Sequence, residues 1–441
     1  MTAISLREWE TARPDPGSPL AQRSLAAHPA GQRLAEELTS TGRMEVLELA
    51  RGLELRATSF VGRFSLGELT VTVRPKISGA PLLNLFRYAY GLRHLDLFGA
   101  VDFASSLWSF QDLLIQQLAA EAAELLARGI HRDYKRTCAD LASPRERIDF
   151  SRYVRTAHSA KTTLPCVHHP RTEDTVLNRV LLAGLGLAAD LATDAELKAH
   201  VLRLRKMLAV SVATIPLDPH TVTQAWRGMD RRTTAYKPAL TLIELLLGDQ
   251  GLALDERGAR VRLSGFLFDM NRFFQALISR FLREHLSGVK IHDEFRLKGL
   301  FNYEPGQNPR ARRAPTPRPD FVVMRGDNMV AVLDAKYRDL WEQTLPREML
   351  YQLALYALGR SGNERASVIL YPTVDASART QAIVIHEPVR GSPQARVTLR
   401  PVNLLELEKL LGAGLTPKVR EKCALLAHSL AFGCELRQEL R

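Results

Sequence analysis

A mixed α+β / α/β chain of several domains is the fold class that this sequence predicts, and three observations carry it. Residues 69–74 alternate Leu69, Val71 and Val73 with Thr70, Thr72 and Arg74, the period-two pattern of a half-buried strand. The centre of the chain holds long stretches whose apolar residues recur at three- and four-residue steps, the spacing of helices. In the last third, two short apolar runs flank a Gly-Asp-Asn bend and lead into a further helix, as in an α/β unit. At 441 residues and 46% hydrophobic composition, the chain is long enough for two or three domains with their own cores. The pattern places a mixed domain at 1–100, a mainly helical region at 101–250 and an α/β domain at 251–441.

Taken in order, residues 43–56 are apolar with polar interruptions, and 60–73 hold two short strand-like runs, the second ended by Pro75. Residues 82–90 restart as a short helix. From 105 to 127, Leu107, Phe110, Leu113, Leu114 and Leu118 follow helical spacing, and Gly129 is a natural stop. Residues 128–155 are polar and rich in arginine. Helices follow at 175–191, 195–208 and 238–247. A boundary falls at 248–260, where Gly, Asp and Arg cluster. Residues 267–285 read as a helix loaded with phenylalanine, 291–297 as a strand, and 303–319 as a Pro- and Arg-rich loop. Residues 321–323 and 329–337 form the arms of a hairpin turning at 325–328. A helix at 347–358 and a strand at 366–371 complete the reading.

Lys and Arg outnumber Asp and Glu by 60 to 48, a net charge of +12. This fits a polyanionic partner such as nucleic acid, or simply a basic surface. The cysteines, Cys138, Cys166, Cys423 and Cys434, form no CxxC pair and suggest neither a zinc ribbon nor a disulfide framework. The start of the chain lacks the apolar segment of a signal peptide, and no stretch is apolar enough to span a bilayer, so a cytoplasmic protein is expected.

Chemistry concentrates at Asp320 and, fourteen residues on, at Asp334-Ala335-Lys336. Residues two apart on a strand share a face, so Asp334 and Lys336 project together. If the hairpin forms, Asp320 at the start of one arm lies beside Asp334 at the end of the other. Two such carboxylates repel unless a cation sits between them, and hard oxygen ligands select Mg²⁺ or Mn²⁺, with the Ala335 carbonyl as a further ligand. Lys336 would orient a water or stabilise developing negative charge, and the reaction class is in-line hydrolysis of a phosphodiester. Acid-x-Lys triplets also arise by chance, as at Asp133-Tyr134-Lys135 and Glu196-Leu197-Lys198. Only the triplet at 334 follows a Pro-Asp at hairpin distance. On pattern alone the alternative is a surface salt bridge. In the next helix, Glu348, Gln352 and Tyr356 at i, i+4, i+8 make a polar stripe that either faces this site or is solvated.

The pieces PRPDFVV, AVLDAKY and LYQLALYAL, preceded by FLFDMNRFFQALI, resemble the McrC family, the nuclease subunit of McrBC-type modification-dependent restriction systems, within the PD-(D/E)xK nucleases. The likeness extends to ISLREWE, VTVRPKIS with LLNLFRYAYGL, RGIHRDYKR with RERIDFSRYV, and DTVLNRVLLAGL, and so covers most of the chain. It implies a restriction-endonuclease-like C-terminal core with Asp320, Asp334 and Lys336 as metal-binding and catalytic residues. It also implies a McrB-like AAA+ GTPase hexamer as partner, double-stranded DNA as substrate, and an N-terminal region that contacts the motor and stimulates its GTP hydrolysis. GTP would enter only through that partner, since this chain has no Walker A sequence. Relatives often carry an acid where this chain has Gln275, which offers only a neutral oxygen and bears on a second metal. Gln352 and Tyr356 would support the site. The alternatives are an adaptor with a decayed site that only activates an AAA+ motor, and a stand-alone nuclease of repair or defence.

Arg310, Arg312, Arg313 and Arg318 precede the hairpin and are candidate DNA-phosphate contacts, or else a solvated basic loop. Arg128, Arg132, Lys135, Arg136, Arg145 and Arg147 form a second basic stretch of either kind. Cys166, His168 and His169 lie close together but match no zinc spacing. Arg74, Pro75 and Lys76 are candidates to face the motor, or a plain strand end.

Overall fold

The computed structural model describes residues 2–26, 28–93, 110–156, 162–248, 252–254, 260–262, 265–360, 365–414 and 416–433. The chain divides into two compact units, one of residues 1–94 with 267–441 and one of residues 95–266. The sequence pattern separates 1–100 from 251–441, whereas the packing joins these two segments in one unit.

The first unit opens with β1 (Thr2–Arg7) and β2 (Thr11–Ala12), then α1 (Pro29–Ser40), β3 (Met44–Leu49), β4 (Gly52–Ala57), β5 (Phe60–Leu66), β6 (Leu69–Arg74) and α2 (Gly79–Tyr90). The alternation at 69–74 is strand β6, hydrogen-bonded to β5 across a tight turn that pairs Leu66 with Leu69. β1 adds in parallel on the other side, Ile4 opposite Val71 and Leu6 opposite Val73. β2, β4 and β3 make a second small antiparallel sheet. Gly52 begins β4 at φ +136, and a Cβ there would sit 2.1 Å from the Leu20 carbonyl oxygen, so only glycine fits.

The second unit is mainly helical, with α3 (Phe110–Arg128) at its centre. Gly129 follows α3 at φ +87, the left-handed residue expected after a helix end. Short strands β7 (Asp133–Tyr134), β8 (Thr137–Leu141) and β9 (Arg147–Ile148) occupy the polar stretch, with α4 (Phe150–Thr156), β10 (Leu164–His168) and β11 (Arg171–Thr172). Helices α5 (Val176–Leu191), α6 (Ala195–Leu208), α7 (Pro219–Arg227) and α8 (Lys237–Gly248) follow. Thr175 and Asp194 cap α5 and α6 by accepting from the amides of Asn178 and Leu197. A buried amide network ties the unit together. Asn178 donates to the carbonyls of His131 and Glu173 at 2.8 and 2.6 Å. It accepts the Tyr236 hydroxyl at 2.5 Å, and that hydroxyl accepts the His131 N–H at 2.8 Å. The boundary expected at 248–260 lies largely outside the described residues; β12 (Leu252–Leu254) and β13 (Arg260–Arg262) pair as a hairpin there.

The chain re-enters the first unit through β14 (Gly265–Asp269) and α9 (Met270–His285). Here the structure corrects the expectation of one helix over 267–285. Phe266, Leu267 and Phe268 are all buried, as a strand covered on both faces requires, and β14 adds to the sheet beside β5. The Asp269 side chain then caps α9 on the Asn271 amide at 2.9 Å. The strand expected at 291–297 is shorter, β15 (Lys290–Asp293), because Glu294 turns into the left-handed region at φ 50.

The hairpin is β16 (Phe321–Arg325) and β17 (Asn328–Ala335), closed at Gly326, φ +60. α10 (Arg347–Leu358) has the span expected, and β18 (Ala366–Thr373), β19 (Gln381–His386) and β20 (Pro393–Asn403) finish a six-stranded sheet of order β15-β16-β17-β18-β20-β19. β17 and β18 are parallel, as are β18 and β20. The residues Val322, Val332, Ile369, Tyr371, Val397 and Leu399 pack against Leu353 and Tyr356 of α10. α11 (Leu404–Gly412) and α12 (Pro417–Phe432) end the described chain.

Candidate functional site

The hairpin register brings the two acids together. Phe321 pairs with Leu333, so Asp320 just before β16 stands opposite Asp334 near the end of β17. The Ala335 N–H donates to Asp320 Oδ2 at 2.8 Å and fixes that carboxylate across the strand end. β17 continues one residue beyond its ladder, because the Lys336 N–H donates to the Leu370 carbonyl of β18 at 3.0 Å. Asp334 and Lys336 therefore share one strand face, while Tyr337 turns to the other and meets Phe274 of α9 edge-on at 6.1 Å between ring centroids.

Lys336 Nζ lies 3.2 Å from Asp334 Oδ2 and 4.0 Å from Asp320 Oδ2. Asp334 is 1% exposed, and its Oδ1 has no hydrogen-bond partner among the described residues. An orphaned buried carboxylate oxygen is costly unless something occupies that direction. Burial, and then the charge of Asp334, push the Asp320 carboxyl above the usual carboxylate range; Lys336, the Ala335 N–H and the Gln275 carboxamide draw it partly back. Burial works to lower the Lys336 ammonium, but the charges of Asp334 and Asp320 outweigh it and hold the group above its ordinary value. One lysine thus stands against two acids, a set short of positive charge. The donor set fits a single hard divalent cation, with two carboxylates and one buried oxygen unused. Among the described residues no third Asp, Glu, His or Cys joins them.

Gln275 lines an open cleft of about 610 Å³ that runs from Asp320 and Phe321 along α9 past Arg272, Ser279 and Arg283 to Asp293 and Glu294. Of the polar stripe on α10, Tyr356 is buried and accepts from Gln352 Nε2 at 2.6 Å, close enough to the acids for their charges to help raise its hydroxyl, although burial is the larger cause. Glu348 is exposed at the far end of that stripe.

Arg310, Arg312 and Arg313 are exposed on the loop before β16, which Asn308 shapes by bonding both the N–H and the carbonyl of Arg312. Arg318 pairs with Glu294 at 2.8 Å and so is already engaged. In the second basic stretch, Arg128 pairs with Glu124 and Arg132 with Glu173. Cys166 and His168 are buried in β10, and His169 Nδ1 lies 2.8 Å from Glu146 Oε2. Of Arg74, Pro75 and Lys76, Arg74 is exposed, while Lys76 is engaged with the buried Asp339 at 3.3 Å, an acid that needs a counter-charge. Sequence reasoning missed Arg272, Ser279 and Arg283. Their i, i+7, i+11 spacing with Gln275 at i+3 on α9 was the available signal.

The family model described as McrBC 5-methylcytosine restriction system component matches residues 55–372, well over half of the chain and all three residues of the acid–acid–lysine set. Among solved structures, a chain of the refined half-complex from the tetradecameric assembly of Thermococcus gammatolerans McrB AAA+ hexamers with bound McrC is similar, with a TM-score of 0.62 at 18% identity. The match covers 96% of this chain and 98% of that one, so the two share a fold over nearly their whole length. A chain from the cryo-EM structure of the Thermococcus gammatolerans McrBC complex matches with a TM-score of 0.47 at 20% identity, over 66% of this chain and 90% of that one. No curated protein matches. No helix among the described residues is long and apolar enough to cross a membrane.

Proposed function

The chain belongs to the McrBC 5-methylcytosine restriction system component family, and from that premise we propose that it is the DNA endonuclease subunit of such a system. The observation that carries the reading is the buried Asp334, with an unused oxygen, beside Asp320 and within 3.2 Å of Lys336. Structural salt bridges do not require two carboxylates for one lysine, whereas phosphodiester hydrolysis does when a cation is shared between them.

Asp320 and Asp334 would hold Mg²⁺ or Mn²⁺, with the Ala335 carbonyl as a further ligand. When bound, that cation supplies Lewis-acid chemistry, neutralising charge on the phosphate and making a nearby water more acidic. Lys336 donates hydrogen bonds to the attacking water or to the phosphoryl oxygen that gains charge. Gln275 contributes a neutral oxygen, so the residues fit one cation better than two. Arg310, Arg312 and Arg313 hold the duplex by its phosphates, a sequence-independent role.

The similar Thermococcus gammatolerans assembly contains McrB AAA+ hexamers with bound McrC. This supports a McrB-like AAA+ GTPase hexamer as the partner of this chain, with GTP acting only through it and the chain stimulating its hydrolysis. The test is cleavage of modified and unmodified plasmid with Mg²⁺, GTP and the AAA+ partner, wild type beside Lys336→Ala. Cuts that need the partner, GTP and Lys336 are expected. Stimulated GTP hydrolysis with no cuts would replace the nuclease by an adaptor.

A further inference from the structure

The four residues 336–339 leave the sheet one by one against fixed partners. Lys336 is anchored by its N–H on Leu370 and by its carbonyl, which accepts the Arg338 N–H at 2.8 Å. The Tyr337 N–H donates to Asn271 Oδ1 at 3.0 Å, and Asn271 Nδ2 donates onward to the Ser59 hydroxyl at 2.6 Å. The Tyr337 hydroxyl donates to Glu8 Oε1 at 3.3 Å, with both groups buried. The Arg338 guanidinium lies over the Trp9 ring, 5.3 Å from its centroid. Asp339, 1% exposed, accepts Lys76 Nζ at 3.3 Å and the Trp341 N–H at 3.0 Å.

Most of these partners come from the N-terminal sheet: Glu8 and Trp9 follow β1, Ser59 precedes β5 and Lys76 follows β6. Trp9 adopts φ 63, a sparsely populated conformation for an aromatic residue, and it is this backbone that sets the ring under Arg338. Removing Lys76 would leave Asp339 a buried charge without its cation. Burial pushes the Glu8 carboxyl up to about 8 even though Lys76 opposes the shift, so at neutral pH it serves chiefly as a neutral hydrogen-bonding group.

We infer that Glu8, Trp9 and Lys76 are positioning residues for Lys336: the N-terminal sheet grips residues 337–339 and so sets the backbone from which the lysine reaches the two acids. The inference rests on the nuclease reading for its consequence, since displacing a reacting group by about 1 Å costs roughly 100-fold in rate. The acid–acid–lysine set is then a composite site, finished by the first 94 residues of the chain.

The test uses the full chain with Lys76→Met, Glu8→Ala and the conservative Glu8→Gln, and with Lys336→Ala as the control for the site. Two readouts are taken: amide hydrogen exchange of peptides covering 336–343, and kcat and KM for plasmid cleavage with Mg²⁺, GTP and the AAA+ partner. In Lys76→Met and Glu8→Ala, exchange at 336–343 should quicken about tenfold or more while α5 and α6 keep their protection. In the same variants kcat should fall roughly 10- to 100-fold with KM for DNA little changed. Glu8→Gln keeps an oxygen toward the Tyr337 hydroxyl, so its kcat should stay near wild type and its exchange at 336–343 should be no faster. Unchanged exchange at 336–343 overturns the inference whether or not DNA is cut. Quickened exchange with undiminished kcat overturns the positioning role as well. A wild type that cuts nothing with Mg²⁺ or Mn²⁺ removes the nuclease reading instead, and the exchange data still decide whether the grip exists.

Discussion

Glu8→Gln should stabilise the protein, and the gain should grow with pH. In the folded chain Glu8 is buried among Tyr337 and Lys76, and its carboxyl is pushed up from 4.5 to about 8, mainly by burial. Between those values the folded state keeps a proton that the unfolded chain has released. Folding therefore loses stability as pH rises through this window, and the loss levels off above about 8. At pH 7 the gap of 2.5 between the ambient pH and 4.5, at about 1.36 kcal/mol per unit, makes this cost roughly 3 kcal/mol. At pH 9 the full shift from 4.5 to about 8 brings it to roughly 5 kcal/mol. Glutamine has no proton to lose and nearly the same shape, so it removes the cost. The assay is urea unfolding of both proteins at pH 5, 7 and 9, followed by amide exchange of peptides from the first unit. A variant less stable than wild type at pH 9, or a difference that does not change with pH, refutes the reasoning and makes Glu8 an ionised partner of Lys76.

Asp334→Asn and Lys336→Ala should each lower single-turnover cleavage by at least about 100-fold, and Asp334→Asn alone should also weaken Mn²⁺ binding measured by calorimetry. Tyr236→Phe leaves the Asn178 oxygen and the His131 N–H unpaired in the second unit and should cost about 1–3 kcal/mol in urea unfolding, with cleavage unchanged per folded molecule. Gly326→Val forces a branched residue into φ +60 and should destabilise the first unit by about 1–2 kcal/mol, read as a lower midpoint of its thermal transition. Replacing Arg310, Arg312 and Arg313 by alanine should flatten the plot of log affinity for DNA against log salt by up to about 2.7, roughly 0.9 for each phosphate that is no longer neutralised.

The elements set by local signals were legible in the sequence. α6 and α10 have the spans expected, since each declares itself by helical spacing within a dozen or so residues. The Gly-Asp bend was enough to place Asp320 beside Asp334, and with them the candidate site. Elements set by distant partners were not legible. β1 lies in parallel along β6, some sixty residues away, and nothing within residues 2–7 indicates that pairing. Residues 267–269 look like the start of a helix until their place beside β5 at the edge of the sheet is seen. Lys76 reads as a surface cation because Asp339, its partner, is 263 residues further on. ISLREWE and VTVRPKIS are visible as motifs, but that their ends grip the segment after Lys336 follows only from the packed unit.

The first unit is discontinuous, with residues 1–94 and 267–441 completing one another around an insertion. During synthesis the insertion can fold once α8 has emerged, because α3 packs against α5, α6 and α8 of the same unit. The amino-terminal sheet must wait for β14 and for the residues after Lys336 before its inner side is covered. The order of synthesis thus delays the acid pair and its lysine until nearly the whole chain exists. For the endonuclease proposed above, a chain interrupted before residue 336 would carry no finished site.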